Sequence, residues 1–220
     1  MIIKTTLGML LFSGILAFAS TDPAGEDPGR YPQDEKKPKG PEYVGVGQCK
    51  TCHIKEFRSW KKTTMAETFN ILKPGERAEA KTKHGLDPQK DYTKDESCLP
   101  CHVVGYGLPG GYPKLPTGDK KWTEKQIKLA AEMEGVQCES CHGPGSKVLP
   151  VFKEIKKDKR KYKTSELLPL GLVLPDEKNC LSCHNKTSPT FPKEGFDVKK
   201  LLKNEKQIHA HVKLKYREDE

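Results

Sequence analysis

Four stretches of the sequence share one motif, Cys-x-x-Cys-His: Cys49-Lys-Thr-Cys52-His53, Cys98-Leu-Pro-Cys101-His102, Cys138-Glu-Ser-Cys141-His142 and Cys180-Leu-Ser-Cys183-His184. Together they use all 8 cysteines of the chain. Two thiols at this spacing can each form a thioether to one porphyrin, and the histidine that follows can bind its iron. The motifs therefore predict four covalently bound haem c groups, with the cysteines as attachment residues and His53, His102, His142 and His184 as proximal iron ligands.

Zinc binding, disulfide bonding and chance each account for the cysteines less well. Structural zinc sites use Cys-x-x-Cys pairs, but they do not require a histidine directly after every pair. A disulfide framework is permitted in an exported protein, yet a bridge within Cys-x-x-Cys is strained and usually redox-active rather than structural. Chance could produce one such motif, but not four that exhaust the cysteines. The haem interpretation is therefore favoured.

The N-terminal 19 residues predict a cleaved secretory signal peptide. Lys4 supplies a positive start, residues 7–18 are apolar, and residues 17–19 read Ala-Phe-Ala, a small-x-small cleavage site. An uncleaved anchor is the alternative, but an apolar run of about 12 residues is short for a bilayer. Residues 20–42 predict a flexible leader rich in proline, and residues 43–220 a single tetrahaem domain. We expect a periplasmic protein without a stable membrane span.

Composition points to a core that is built from cofactors. Hydrophobic residues make up 34% of the chain and charged residues 31%, which is poor material for a conventional core. Four apolar porphyrins would supply what the side chains lack, and we expect the haem-free chain to be largely unfolded. Strand signals are scarce. The predicted fold class is therefore mainly α, a multihaem cytochrome c fold with long loops around four haems.

Helix signals are local. The sequence predicts helices over 54–66 and 73–83, a helix that starts at a capping box on Thr123 and ends before Gly135, and a last helix from Asp197 through His209. Residues 105–118 contain five glycines and three prolines and predict a loop.

The net charge of +9 does not by itself indicate nucleic-acid binding. The two propionates of each haem would offset most of this charge, so we expect no nucleic-acid partner. Residues 153–163 form a strongly basic run. This run could dock an acidic redox partner, although a solvated segment is the simpler interpretation.

The histidine count limits iron ligation. The chain has 7 histidines, and the four motifs leave three, His84, His209 and His211, as distal ligands. Four bis-histidine haems would need four, so at least one iron is open or bound by another side chain. A helical C-terminal segment would turn His209 inward and His211 outward, whereas an extended one would place both on the same side. Met65 could bind a neighbouring haem or could be ordinary packing.

Further stretches accompany the motifs in a fixed order: Ser59-Trp60-Lys61, Leu86-Asp-Pro88, Lys90-Asp-Tyr-Thr93, Gly110-Gly-Tyr112, His142-Gly-Pro-Gly145 and His209-x-His211-x-Lys-Leu214. On these residues the chain resembles the cytochrome c-554 family, the tetrahaem partners of hydroxylamine oxidoreductase in ammonia oxidisers. The resemblance implies a mainly helical fold, haems stacked in close pairs, three bis-histidine haems, and a five-coordinate haem at the second motif. The family's C-terminal ligand matches His209.

Two departures from the family pattern concern distal ligands. Met65 stands where the family has a histidine after the first motif, and residues 143–179 lack the family's histidine between the third and fourth motifs. Either Met65 substitutes and His84 or His211 is recruited, or more than one haem is open.

Electron transfer between a periplasmic oxidoreductase and a downstream cytochrome is the predicted function. The alternative is an enzyme that reduces a small nitrogen species, such as nitric oxide, at an open haem. A third interpretation is a subunit of an extracellular electron conduit, in which one subunit ligates a haem of the next.

Overall fold

The computed structural model describes residues 40–192, 195–204 and 206–219. The predicted signal peptide and residues 20–39 of the predicted leader lie outside the described residues. Within these ranges the regular structure is helical, and β pairing is limited to two isolated bridges, Val103 with Glu134 and Tyr162 with Arg217. The mainly α prediction with long loops is confirmed.

The helices are short. The α-helices are α1 (Val46–Cys49), α2 (Ile54–Trp60), α3 (Ala78–Lys83), α4 (Leu99–His102), α5 (Glu124–Glu132), α6 (Cys138–His142), α7 (Val148–Asp158), α8 (Glu177–Leu181) and α9 (Val198–Leu202). The 3-10 helices cover Thr64–Glu67, Asn70–Leu72, Tyr92–Lys94, Thr164–Glu166 and Leu168–Leu170.

The predicted helix over 54–66 is wrong in its second half, because α2 ends at Trp60. The Thr63 hydroxyl donates to the Trp60 carbonyl over 2.7 Å, and Thr63 is extended with φ −91° and ψ 161°. A threonine side chain that bonds to the backbone in this way competes with the next helical turn. Met65 therefore lies on a separate 3-10 turn and is not part of α2, the helix that follows His53.

The other predicted helices are present, but their ends differ from the predicted ones. The capping box of α5 is confirmed, with Thr123 and Gln126 satisfying each other's backbone N–H, although the helix ends at Glu132. The helix predicted over 73–83 starts only at Ala78, after Arg77 in the left-handed region at φ 50°. The Asp197 cap is confirmed, but α9 ends at Leu202.

Two side-chain cores are present in the described residues. The larger lies around the second motif, where Leu99 and Val104 are fully buried and Met133 is 1% exposed. The smaller lies beneath α7 and contains Val148, Ile155, Tyr162 and Leu167.

The loop 105–118 is confirmed and closes the larger core. Tyr43 donates its N–H to the Pro109 carbonyl over 3.0 Å. Gly110 has φ +75°, and a Cβ there would overlap the Tyr43 backbone, so glycine is required both for the conformation and for the close approach.

Candidate haem-binding site

Each motif folds into a single helical turn. The amide of His53 donates to the Cys49 carbonyl over 3.0 Å, and the amide of His184 donates to the Cys180 carbonyl over 2.9 Å. The second motif forms α4, with Cys98 as its N-cap, and the third motif forms α6. Residues three and four apart lie on one side of a helical turn. Both cysteines and the histidine of each motif can therefore reach one flat group.

The first and third motifs share an apolar cavity of about 650 Å³. Its lining includes all cysteines and histidines of these two motifs, and Cys180 of the fourth. The walls are completed mainly by aliphatic and aromatic side chains, among them Phe152, Leu167 and Leu201. An apolar space with a few converging polar groups is typical of a cofactor site. These residues fit a haem in chemistry as well as in placement.

Two histidines of this cavity have the separation that one iron requires. The ring centroids of His142 and His209 are 6.2 Å apart. A metal–imidazole bond is about 2.0–2.1 Å, and the nitrogen lies about 1.1 Å from the ring centre, so imidazoles on opposite sides of one iron have centroids about 6.3 Å apart. The observed separation matches this distance.

Hydrogen bonds at Nδ1 leave the Nε2 atoms of two histidines available, and a carboxylate lies near the Nδ1 of a third. The Nδ1 of His102 lies 2.6 Å from the Thr68 carbonyl oxygen, and that of His209 lies 2.8 Å from the Ala210 carbonyl oxygen. A carbonyl only accepts, so each Nδ1 carries the proton and donates. The Nδ1 of His53 lies 3.5 Å from the Glu56 carboxylate. Such partners fix the tautomer and orientation of a ligating imidazole.

Burial also favours the neutral imidazole that iron needs. Desolvation lowers the pKa of His102, His142 and His184, and for His142 the neighbouring His209 lowers the pKa further. A neutral imidazole presents a lone pair to the metal, whereas an imidazolium does not.

Contacts between cysteines link the first motif to the third and the second to the fourth, and Cys141 of the third also lies near Cys180 and Cys183 of the fourth. The Cys49 and Cys138 thiols are in hydrogen-bonding contact, which raises the pKa of Cys49 and lowers that of Cys138. A similar contact from Cys101 lowers the pKa of the Cys183 thiol to about 6. The attachment residues of the first motif therefore lie beside those of the third, and those of the second beside those of the fourth.

The other distal candidates lie in different places. Met65 and His211 line the same cavity as His209, and the His209 and His211 rings are 5.9 Å apart. The C-terminal segment is not helical at these residues, and Ser59 accepts the Ala210 N–H over 2.8 Å. His84 is exposed at the end of α3, outside this cavity.

Several neighbours of the motifs were not identified from the sequence. Glu56 faces the first motif histidine, and the Phe152 ring packs edge-on against the His53 ring with centroids 5.6 Å apart. Phe196 stacks on His184 with centroids 4.0 Å apart. Glu139, inside the third motif, is buried. The only sequence signal for Glu139 is its position between two haem-attaching cysteines.

The short helices, the four motifs and the apolar cavity define a multihaem c-type cytochrome. The family model described as "Cytochrome c554 and c-prime" matches residues 48–143. Cytochrome c-554 of Nitrosomonas europaea is 33% identical over 192 residues, covering 78% of this chain and 77% of that protein. The structure of reduced cytochrome c554 from the same organism has a TM-score of 0.68 at 32% identity, covering 82% of this chain and 91% of that one. The chain belongs to the cytochrome c-554 family.

The family establishes the general function. The protein is an electron-transfer cytochrome with four covalently bound haem c groups, so the predicted cofactors, fold and family are confirmed. As such a cytochrome it exchanges electrons with redox partners. The comparisons give no support to the enzyme alternative. Among the described residues, no helix is both long enough and apolar enough to cross a bilayer.

Proposed function

We propose that the protein is a periplasmic electron relay, which takes electrons from an oxidoreductase resembling hydroxylamine oxidoreductase and delivers them to a downstream cytochrome. Bound haem supplies a one-electron Fe(III)/Fe(II) couple. The chain attaches the haems through the eight motif cysteines, supplies His53, His102, His142 and His184 as proximal ligands, and orients them. The mature domain starts near residue 43, after the signal peptide and leader.

The 6.2 Å separation of His142 and His209 is the observation that carries this proposal. These two side chains would fill both axial positions at the third motif. An iron with both positions filled is suited to electron transfer, because no ligand has to enter or leave when its charge changes.

Two further axial positions are assigned, the first motif's by its shared cavity and the second motif's by resemblance. Met65 and His211 line the same cavity as His53, and we assign the distal position at the first motif to one of these two side chains. Ligation by the Met65 thioether would raise the reduction potential of the haem at the first motif, compared with ligation by a second imidazole. The second motif keeps the five-coordinate iron that the family resemblance implies. His84 has no role in this proposal, because it is exposed at the end of α3.

Electron paramagnetic resonance of the oxidised holoprotein tests the assignment. We expect His209→Ala to remove one bis-histidine low-spin signal and to add a high-spin signal. His84→Ala is the matched control and should leave the spectrum unchanged. An unaltered low-spin spectrum in His209→Ala would contradict the proposal.

The basic run over 153–163 supports an acidic redox partner. Its lysines and arginine are exposed, while Phe152 at its start contacts the His53 ring. A partner bound to this surface would therefore lie next to the first motif. Complementary charge raises association rates and makes them salt-dependent.

Charge reversal tests this surface. With an acidic flavodoxin as electron donor, K156E/K157E should slow reduction at low ionic strength at least tenfold. K199E/K200E on α9 changes the net charge equally and should slow it much less. Equal slowing by the two variants would show a general charge effect and no docking surface.

A further inference from the structure

Glu139 is the one carboxylate found buried among the described residues, with 4% of its surface exposed. It directly follows Cys138 in α6 and lines the cavity that the first and third motifs share. A buried charge is costly unless its environment compensates it, so its partners indicate its role.

Backbone N–H groups surround this carboxylate. Oε2 accepts the Gly45 N–H over 2.7 Å, and Oε1 accepts the Gly145 N–H over 2.7 Å. The Val44 N–H lies 3.0 Å from both oxygens. Val44 and Gly45 lead directly into α1, which ends at the first motif. One side chain of the third motif therefore fixes the entry to the first motif, and its described hydrogen bonds come from uncharged donors.

These donors favour the ionised carboxylate. Burial raises the pKa of Glu139 above its ordinary value, and the N–H bonds from Gly145, Gly45 and Val44 offset part of this rise. All of these N–H groups donate to the carboxylate oxygens, which is the arrangement that the ionised form needs. Its negative charge also acts on both motifs. Glu139 lines the same cavity as the cysteines and histidines of the first and third motifs, so its charge acts across that cavity.

We propose that Glu139 lowers the reduction potentials of the haems at the first and third motifs. Oxidised haem carries one more positive charge than reduced haem, so a fixed negative charge at a cavity wall stabilises the oxidised form. One electron enters each iron and no proton is needed. This role rests on the proposed attachment of haems at these two motifs, which Glu139 links directly through its bonds to Val44 and Gly45.

Gln137 provides the matched comparison, because its uncharged side chain also hydrogen-bonds to the backbone at the start of α1. We call this contact between α1 and the start of α6 the junction. Its Oε1 accepts the Val46 N–H over 2.9 Å, and its Nε2 donates to the Glu132 and Glu134 carbonyls. Loss of Gln137 therefore loosens the junction and leaves its charge unaltered. Any effect of Glu139 on structure alone should be reproduced by loss of Gln137.

Spectroelectrochemical titration of the four-haem protein tests the proposal. In Glu139→Gln, two of the four one-electron steps should move to higher potential by at least about 59 mV, a tenfold change in the equilibrium constant. The other two steps should move much less. Gln137→Met should not raise these two potentials above the other two. Glu139→Asp keeps the charge, so its potentials should stay close to those of the wild type.

A variant of opposite sign covers the case in which Glu139→Gln does not fold. Gln48→Glu adds a carboxylate at an exposed position in the wall of the same cavity, next to Cys49, and should lower the potential of the haem at the first motif. Unchanged potentials in Glu139→Gln, or an equal shift in Gln137→Met, would overturn the proposal. Haem content and the low-spin signal of the His142–His209 site are measured on the same samples. If both are normal and the potentials are unchanged, only the role of Glu139 is wrong; if the low-spin signal is absent from the wild type, the proposed function itself fails.

Discussion

The second motif and the pair formed by the first and third motifs lie in regions that are built differently. Around the second motif the polypeptide packs on itself, with Leu99 and Val104 fully buried. Around the other pair it encloses an apolar cavity of about 650 Å³. In the first region side chains form the core, and in the second the cofactors must. Loss of a haem should therefore have different consequences in the two regions.

Removal of one haem attachment at a time gives the largest expected effect. C138S/C141S should lower the free energy of unfolding by more than about 5 kcal/mol, because cofactor binding supplies folding energy where side chains do not. C98S/C101S removes the same number of thioethers, but its neighbours retain their own core, so it should lower the free energy less. Chemical denaturation followed by circular dichroism measures both. Equal losses would show that the two regions depend on haem alike.

A cavity made in the side-chain core should have the next largest effect. Leu99→Ala should destabilise the holoprotein by about 2–5 kcal/mol, because the side chain is fully buried among close-packed neighbours. Leu168→Ala, at a side chain that is 44% exposed, is the control and should cost much less. Denaturant titration measures the difference. Leu99→Ala with the small effect of the control would mean that this region too is held mainly by haem.

The smallest expected effect concerns a surface ion pair beside the second motif. Lys90 donates to Asp95 over 2.7 Å, and this bond and then the Ser97 hydroxyl lower the pKa of Asp95 from 3.8 to about 2. The carboxylate therefore stabilises the fold above pH 3.8, and this contribution is lost as the pH falls towards 2.

Asp95→Asn should therefore cost less than about 1 kcal/mol near neutral pH, because the pair is solvent-screened. The difference from the wild type should shrink as the pH falls from 3.8 and vanish only below the Asp95 pKa of about 2. Unfolding free energies across this pH range measure it. A difference that grew as the pH fell would contradict the assigned direction.

Local signals were predictive where neighbours in sequence decide the structure. The capping box at Thr123 and the Asp197 cap involve residues three apart, and both are present. The helix over 54–66 failed because the Thr63 side chain bonds to the backbone and ends the helix at Trp60. The long C-terminal helix is not present, because α9 ends at Leu202 and the Ala210 N–H bonds to the Ser59 side chain of α2 instead of to a helical carbonyl.

The haem motifs also divide into features that neighbouring residues set and features that distant contacts set. The sequence by itself determined the number of haems and predicted their attachment residues and proximal ligands, because each motif is complete within five residues and folds as one helical turn. Only the tertiary structure decided which motifs are neighbours, that the His209 ring lies 6.2 Å from that of His142, and that Glu139 binds the backbone of Val44, which is 95 residues away. Contacts across such distances depend on how the chain closes around its apolar cavity, and no short stretch of sequence contains that information.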